Sequence, residues 1–126
     1  MASTSNIEVT ISLSDPDMDD EELQAEMENL LPQVREVDGV EQATLVTVEK
    51  APPGSKALGG FLLGMLTAEV NPKNIKALFG FLGDRLGGKP IEMTLKTPDG
   101  RELSIKASSQ AEFELVMQKA QEFLKA

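Results

Sequence analysis

Ile7, Val9, Ile11 and Leu13 alternate with Glu8, Thr10 and Ser12, and the same two-residue period returns at 91–96 and 102–106. A strand points successive side chains to opposite faces, so these segments belong to a sheet with one face on a core and the other in water. In the second and third, Ile91, Met93 and Leu95 alternate with Glu92, Thr94 and Lys96, and Leu103 and Ile105 with Glu102, Ser104 and Lys106. Pro98-Asp99-Gly100 between them supplies turn chemistry, which makes the pair a hairpin. A sheet wetted on one side must carry helices on the other. One such helix is expected from Asp19, with Glu22 at the capping-box spacing and Leu23, Met27, Leu30, Leu31 and Val34 on one face. Pro32 should kink it or end its regular part. Another spans about 109–125, capped by Ser108 or Ser109, and buries Phe113, Val116, Met117, Ala120 and Leu124. After Asp38-Gly39 a further strand is expected over about 42–49, where Leu45, Val46 and Val48 point to both faces as in a central strand.

The middle of the chain reads differently. Ala51-Pro52-Pro53-Gly54-Ser55-Lys56 is a linker, its prolines extended and its glycine free to turn. Beyond it a helical hairpin is expected, with arms over about 57–68 and 73–87, broken at Asn71-Pro72 and closed by Gly87-Gly88. The expected architecture is therefore a single α+β domain over 1–126, a two-layer sandwich with helices on one face of a four-stranded sheet. Its order is β-α-β-α-α-β-β-α, with the Gly-rich apolar hairpin between the second and third strands.

Four strands make a sheet about 19 Å wide, and helices pack about 8–10 Å apart, so two helices fill its apolar face. The first and last helices are the natural occupants, which leaves the hairpin over. The hairpin holds seven of the ten glycines and three of the five phenylalanines, and no charge lies between Ala57 and Ala68. On a helical wheel Leu58, Phe61, Leu62 and Met65 form a bulky face, Ala57, Gly60 and Gly64 a smooth one, and Leu63 and Leu66 lie off the bulky side. In the second arm Ile75, Leu78, Phe79, Leu82 and Leu86 face inward, and Phe81 lies off that face. Three burials would satisfy such a hairpin: the domain's own core, which is the usual fate of apolar stripes, a protein interface, or a lipid phase. The accounting of space favours the interface, with Leu58, Phe61, Leu62, Leu63, Met65, Leu66, Phe79 and Phe81 as interaction residues. Pro52, Pro53, Gly54, Ser55 and Lys56 would form the hinge that sets the hairpin's angle.

Composition removes most chemistry. The chain has no His, Cys, Trp or Tyr, hence no imidazole base, no thiolate and few of the usual transition-metal ligands. Asp15-x-Asp17-x-Asp19 with Glu26 resembles part of a calcium loop, but Asp20 replaces the required glycine and a strand leads in. Ser104 with Lys106, or Ser55 with Lys56, imitates a Ser–Lys pair without an oxyanion hole or a dry pocket. The glycines lack the strand–loop–helix order of a phosphate cradle. No enzyme and no cofactor are expected. The formal net charge is −9, with twelve carboxylates against one cation within 1–42, a poor match to nucleic acid. Met1-Ala2-Ser3-Thr4-Ser5 lacks a secretory pattern and no run of about 18 apolar residues occurs, so the expected location is the cytoplasm.

Pro52-Pro53-Gly54-Ser55-Lys56-Ala57, the Gly/Leu-rich pair after it, then Ile91–Thr97, Asp99-Gly100, Leu103–Ala107 and the final helix resemble the effector-associated constant component family of prokaryotic conflict systems. The resemblance implies a small non-enzymatic subunit encoded beside variable effectors, often caspase-like or trypsin-like peptidases, and coupling a sensed signal to them in bacterial defence or programmed cell death. The chain departs from that pattern in its polar Lys73-Asn74-Ile75-Lys76 and in lacking a tryptophan after it. The expected function is an adaptor that binds an effector or self-associates through the hairpin as a homo-oligomer. The alternative is a membrane-active, pore-forming effector, active only once a protease cuts a linker at about 50–56 or 67–73.

Overall fold

The computed structural model describes residues 6–14, 17–47, 57–58, 61–86 and 88–125. In chain order the elements are β1 (Ile7–Leu13), α1 (Asp20–Arg35), β2 (Val40–Thr47), the two-residue β3 (Ala57–Leu58) and β4 (Phe61–Val70). A 3-10 turn (Pro72–Asn74) then leads to α2 (Ile75–Leu86), β5 (Ile91–Lys96), β6 (Glu102–Ala107) and α3 (Gln110–Lys125). The sheet is antiparallel in the order β2-β4-β1-β5-β6, with β3 paired to β4.

The α+β class and the wet-and-dry sheet are as the alternation implies. β1 buries Ile7, Val9, Ile11 and Leu13. Register carries that face sideways: Val9 lies beside Ala68 and Leu95, and Ile11 beside Leu66 and Met93. The buried side chains of α1, α2 and α3 join these in one cluster, so the helices share one face. α1 lies over β2 and β4, and α3 over β6. The start of α1 is the expected capping box: the Glu22 amide donates to Asp19 Oδ1 at 2.8 Å and the Asp19 amide to Glu22 Oε1 at 3.1 Å. Pro32 does not end the helix, which runs on to Arg35. The proline is exposed, so water can take the carbonyl bond that its missing N–H leaves open.

The strand count and order correct the sequence reading. The expected first arm of the helical hairpin is β4, inserted between β1 and β2. From Leu66 onward its residues alternate, with Leu66, Ala68 and Val70 fully buried and Thr67 and Glu69 on the wet face. The uncharged run that suggested an all-apolar helix is thus largely strand with neighbours on both sides. β2, expected in the centre of the sheet, lies at its edge because β4 takes the place beside β1. The second arm is a helix as expected. The chain breaks at Asn71-Pro72, where Asn71 Oδ1 accepts from the Lys73 amide at 2.9 Å. Ile75, Leu78, Phe79, Leu82 and Leu86 are buried.

Gly64, expected on a smooth helical strip, has a left-handed backbone with φ +68°, and a Cβ there would lie 2.6 Å from the Leu13 carbonyl oxygen. Only glycine fits such a site without strain. It stands where β4 leaves β1, last paired at Ser12–Met65, and takes up β3 at Leu62–Ala57. Five full strands give a floor about 24 Å wide, enough for three helices at ordinary spacing. The surplus of apolar helix inferred from a four-stranded sheet therefore disappears.

Candidate interaction surfaces

The residues expected to form one contact patch are dispersed. Leu66 is fully buried and Phe79 is 3% exposed, both inside the chain's own core, so neither can meet a partner. Met65 lies half-buried on the wet sheet face beside Ser12. Phe81 is half-buried on α2 with the Arg85 guanidinium 5.4 Å from its ring centre. For Leu58, Phe61, Leu62 and Leu63 only the backbone is described. The hinge Pro52, Pro53, Gly54, Ser55 and Lys56 lies outside the described residues.

The wet face is ordered in rows that only the register reveals. Thr44, Thr67, Thr10, Thr94 and Ser104 stand side by side across all five long strands. Their hydroxyls bond one another, Thr10 to Thr67 and Thr94 to Ser104, each at 3.2 Å. Charged positions flank this row. Lys96 pairs with Glu102 at 3.8 Å and Lys106 with Glu92 at 3.5 Å. The apparent Ser104–Lys106 dyad is therefore divided between two partners. Exposed pairs of this kind contribute about 0–1 kcal/mol each, so their value is in positioning more than in stability.

Two carboxyls stand below their ordinary range. The Thr97 hydroxyl bond is the main cause at Asp99, opposed by desolvation and aided by the Arg101 amide and guanidinium. At Glu112 the causes are the Ser108 amide and hydroxyl, donating at 2.7 and 2.8 Å. Hydrogen bonds to the ionised form hold both as carboxylates. One closes the β5–β6 turn, while the other completes the start of α3, where Ser109 Oγ accepts from the Glu112 amide at 3.2 Å. Both bonds are local, fixing the chain within four residues of each carboxylate. Among the described residues no group of three or more acidic side chains is placed to hold a metal ion.

Two grooves open on the helical side. One, of about 470 Å³, runs between α2 and α3 over Phe79, Phe113 and Met117, with Gly80 and Gly83 thinning the α2 wall. The other, of about 580 Å³, lies between α3 and β6 and is lined by Leu103, Ile105, Val116 and Phe123, with Ser104, Lys106, Lys119 and Glu122 around them. The two sheet edges differ. On β2, Arg35 Nε donates to the Ala43 carbonyl at 2.9 Å. On β6 the Glu102, Ser104 and Lys106 backbone groups face outward. The phase follows from Thr97 N–H, which donates to Arg101 O at 2.9 Å, because bonded and non-bonded pairs alternate along an antiparallel ladder. Among the described residues no other group satisfies these outward positions.

The fold thus defines a two-layer α+β domain, covered by helices on one face and open on the other. Comparison with family models, curated proteins and solved structures finds no match.

The sequence contained part of the signal for the rows. The polar members Thr10, Thr94 and Ser104 were visible in the alternation. Which strands stand side by side, and hence which hydroxyls and charges meet, depends on tertiary pairing.

Proposed function

We propose that this chain is a non-catalytic subunit of a bacterial conflict system that binds a protein effector, a peptidase of caspase-like or trypsin-like type being the leading class. The observation that carries the reading is the sequence of Pro52-Pro53-Gly54-Ser55-Lys56-Ala57 together with β5, the Asp99-Gly100 turn, β6 and α3, which resembles the effector-associated constant components; the first arm of the expected helical pair, being β4, no longer contributes to it.

The membrane alternative needed an apolar helical pair. One arm of that pair is a strand, and among the described residues no helix is long and apolar enough to cross a membrane. The adaptor reading loses the same arm as its expected contact surface and keeps the resemblance as its support.

The test is co-expression of the chain with the product of the adjacent effector gene, followed by co-purification and isothermal titration. A one-to-one or higher-order complex with micromolar or tighter affinity is the expected result, weakened by Pro53→Ala with Gly54→Ala while the far-UV circular dichroism stays unchanged. Failure to bind any genomically neighbouring effector at 100-fold higher concentration would remove the reading.

A further inference from the structure

The free edge of β6 has a sequence that complements itself. We propose that two copies of this chain pair antiparallel through β6, across a twofold axis at Ser104, to make one continuous sheet. This interface is separate from effector binding and does not rest on it.

The argument begins with the backbone. Because β6 ends the sheet, Glu102, Ser104 and Lys106 present N–H and C=O groups in the geometry that another strand would accept. At the opposite edge, Arg35 occupies a β2 carbonyl, and the β2–β4 register shifts between Val40 and Gln42 and again between Leu45 and Thr47. Irregularity and a side-chain plug both discourage strand addition there. β6 pairs with β5 without a shift over its whole length.

Side chains then select the register. Directly opposed residues in an antiparallel pair share a face, so both copies keep their helices on one side only if odd residues meet odd and even meet even. An axis at Leu103 sets Glu102 against Ser104, and an axis at Ile105 sets Ser104 against Lys106. An axis at Ser104 sets Glu102 against the second copy's Lys106, and Leu103 against its Ile105. Only this register joins opposite charges, and by symmetry it does so twice. Each opposed pair of Glu102 with Lys106, and Ser104 with itself, then exchanges both backbone bonds. Within each copy Lys96 already pairs with Glu102, and Lys106 with Glu92. Across the junction the wet face therefore reads Lys96, Glu102, then Lys106 and Glu92 of the second copy, alternating in sign at every strand. The hydroxyl row from Thr44 to Ser104 continues into its own image.

The other face agrees. Leu103, Val116 and Phe123 are only half-buried in the lone chain and line the groove beside the edge. A second β6 and α3 would cover them with their own copies. Long-range charge is also compatible, because acidic α1 lies over β2 and β4, at the edge farthest from the axis. A second copy is thus the occupant that this edge fits in hydrogen bonding, charge and apolar contact together.

Sedimentation velocity of the full chain at about 0.15 M salt, where charges beyond about 8 Å are screened, tests the pairing. The expected result is a reversible dimer at micromolar concentration. Lys106→Glu, which sets like charges together twice, should weaken it at least tenfold, and Glu102→Lys with Lys106→Glu should restore it. Ser104→Pro removes an outward N–H that β5 does not use, so it should give a folded monomer. Because the chain has no cysteine, Ser104→Cys should form a disulfide-linked dimer on mild oxidation, while Glu8→Cys, at the middle of the sheet, should not. A chain that stays monomeric at 500-fold above micromolar concentration would overturn the proposal and leave the edge to a strand of another protein. A dimer indifferent to Lys106→Glu and Ser104→Pro would overturn it equally, by placing the contact elsewhere.

Discussion

Glycine has opposite meanings at two positions in this chain. Gly64 holds φ +68° against the Leu13 carbonyl, whereas a Cβ on Gly80, midway along α2, would meet nothing within 4 Å. Gly64→Ala should cost about 1–2 kcal/mol from the left-handed backbone alone, and the contact with Leu13 adds to that. Gly80→Ala should instead stabilise by about 0.8–1 kcal/mol, since glycine is a poor residue for a helix interior. Urea unfolding of the two variants measures both, and equal effects would contradict the structure. The sequence shows both residues in a Gly-rich region. It does not distinguish them, because left-handed φ depends on where the neighbouring strand runs.

The element that sequence reading mistook is β4. Leu58, Phe61, Leu62 and Met65 happen to fall at helical spacing, and a short apolar run satisfies helix and buried-strand patterns alike. The period-two signal begins only at Leu66-Thr67-Ala68-Glu69-Val70, beyond most of the expected helix. Elements with a wet face were legible for the opposite reason. In β1, β5 and β6, and in α1, α2 and α3, polar residues mark the solvent side and so reveal the period. Leu66 tests the difference. As a fully buried strand residue, Leu66→Ala should lose about 2–5 kcal/mol of stability, read from the urea midpoint at unchanged slope. As an exposed contact on a helix it would have left stability nearly untouched.

At the scale of the whole molecule, charge and topology combine. The net charge is −9, and twelve of the 21 carboxylates fall within the first 42 residues. The exposed ion pairs on the sheet offset little of the resulting repulsion. Raising salt from about 0.01 to 0.15 M shortens the screening length from about 30 to 8 Å, so the thermal midpoint of dilute protein should rise. A midpoint that falls with salt would show that attractive pairs dominate. Sequence alone determined the α+β class, the wet and dry faces and most element boundaries, because these follow from local period, capping and turn chemistry. Tertiary structure alone decided that 61–70 is a strand, that it separates β1 from β2, and that β6 has a free edge among the described residues. Those outcomes depend on which strands pair, and pairing is set by contacts between residues far apart in the chain.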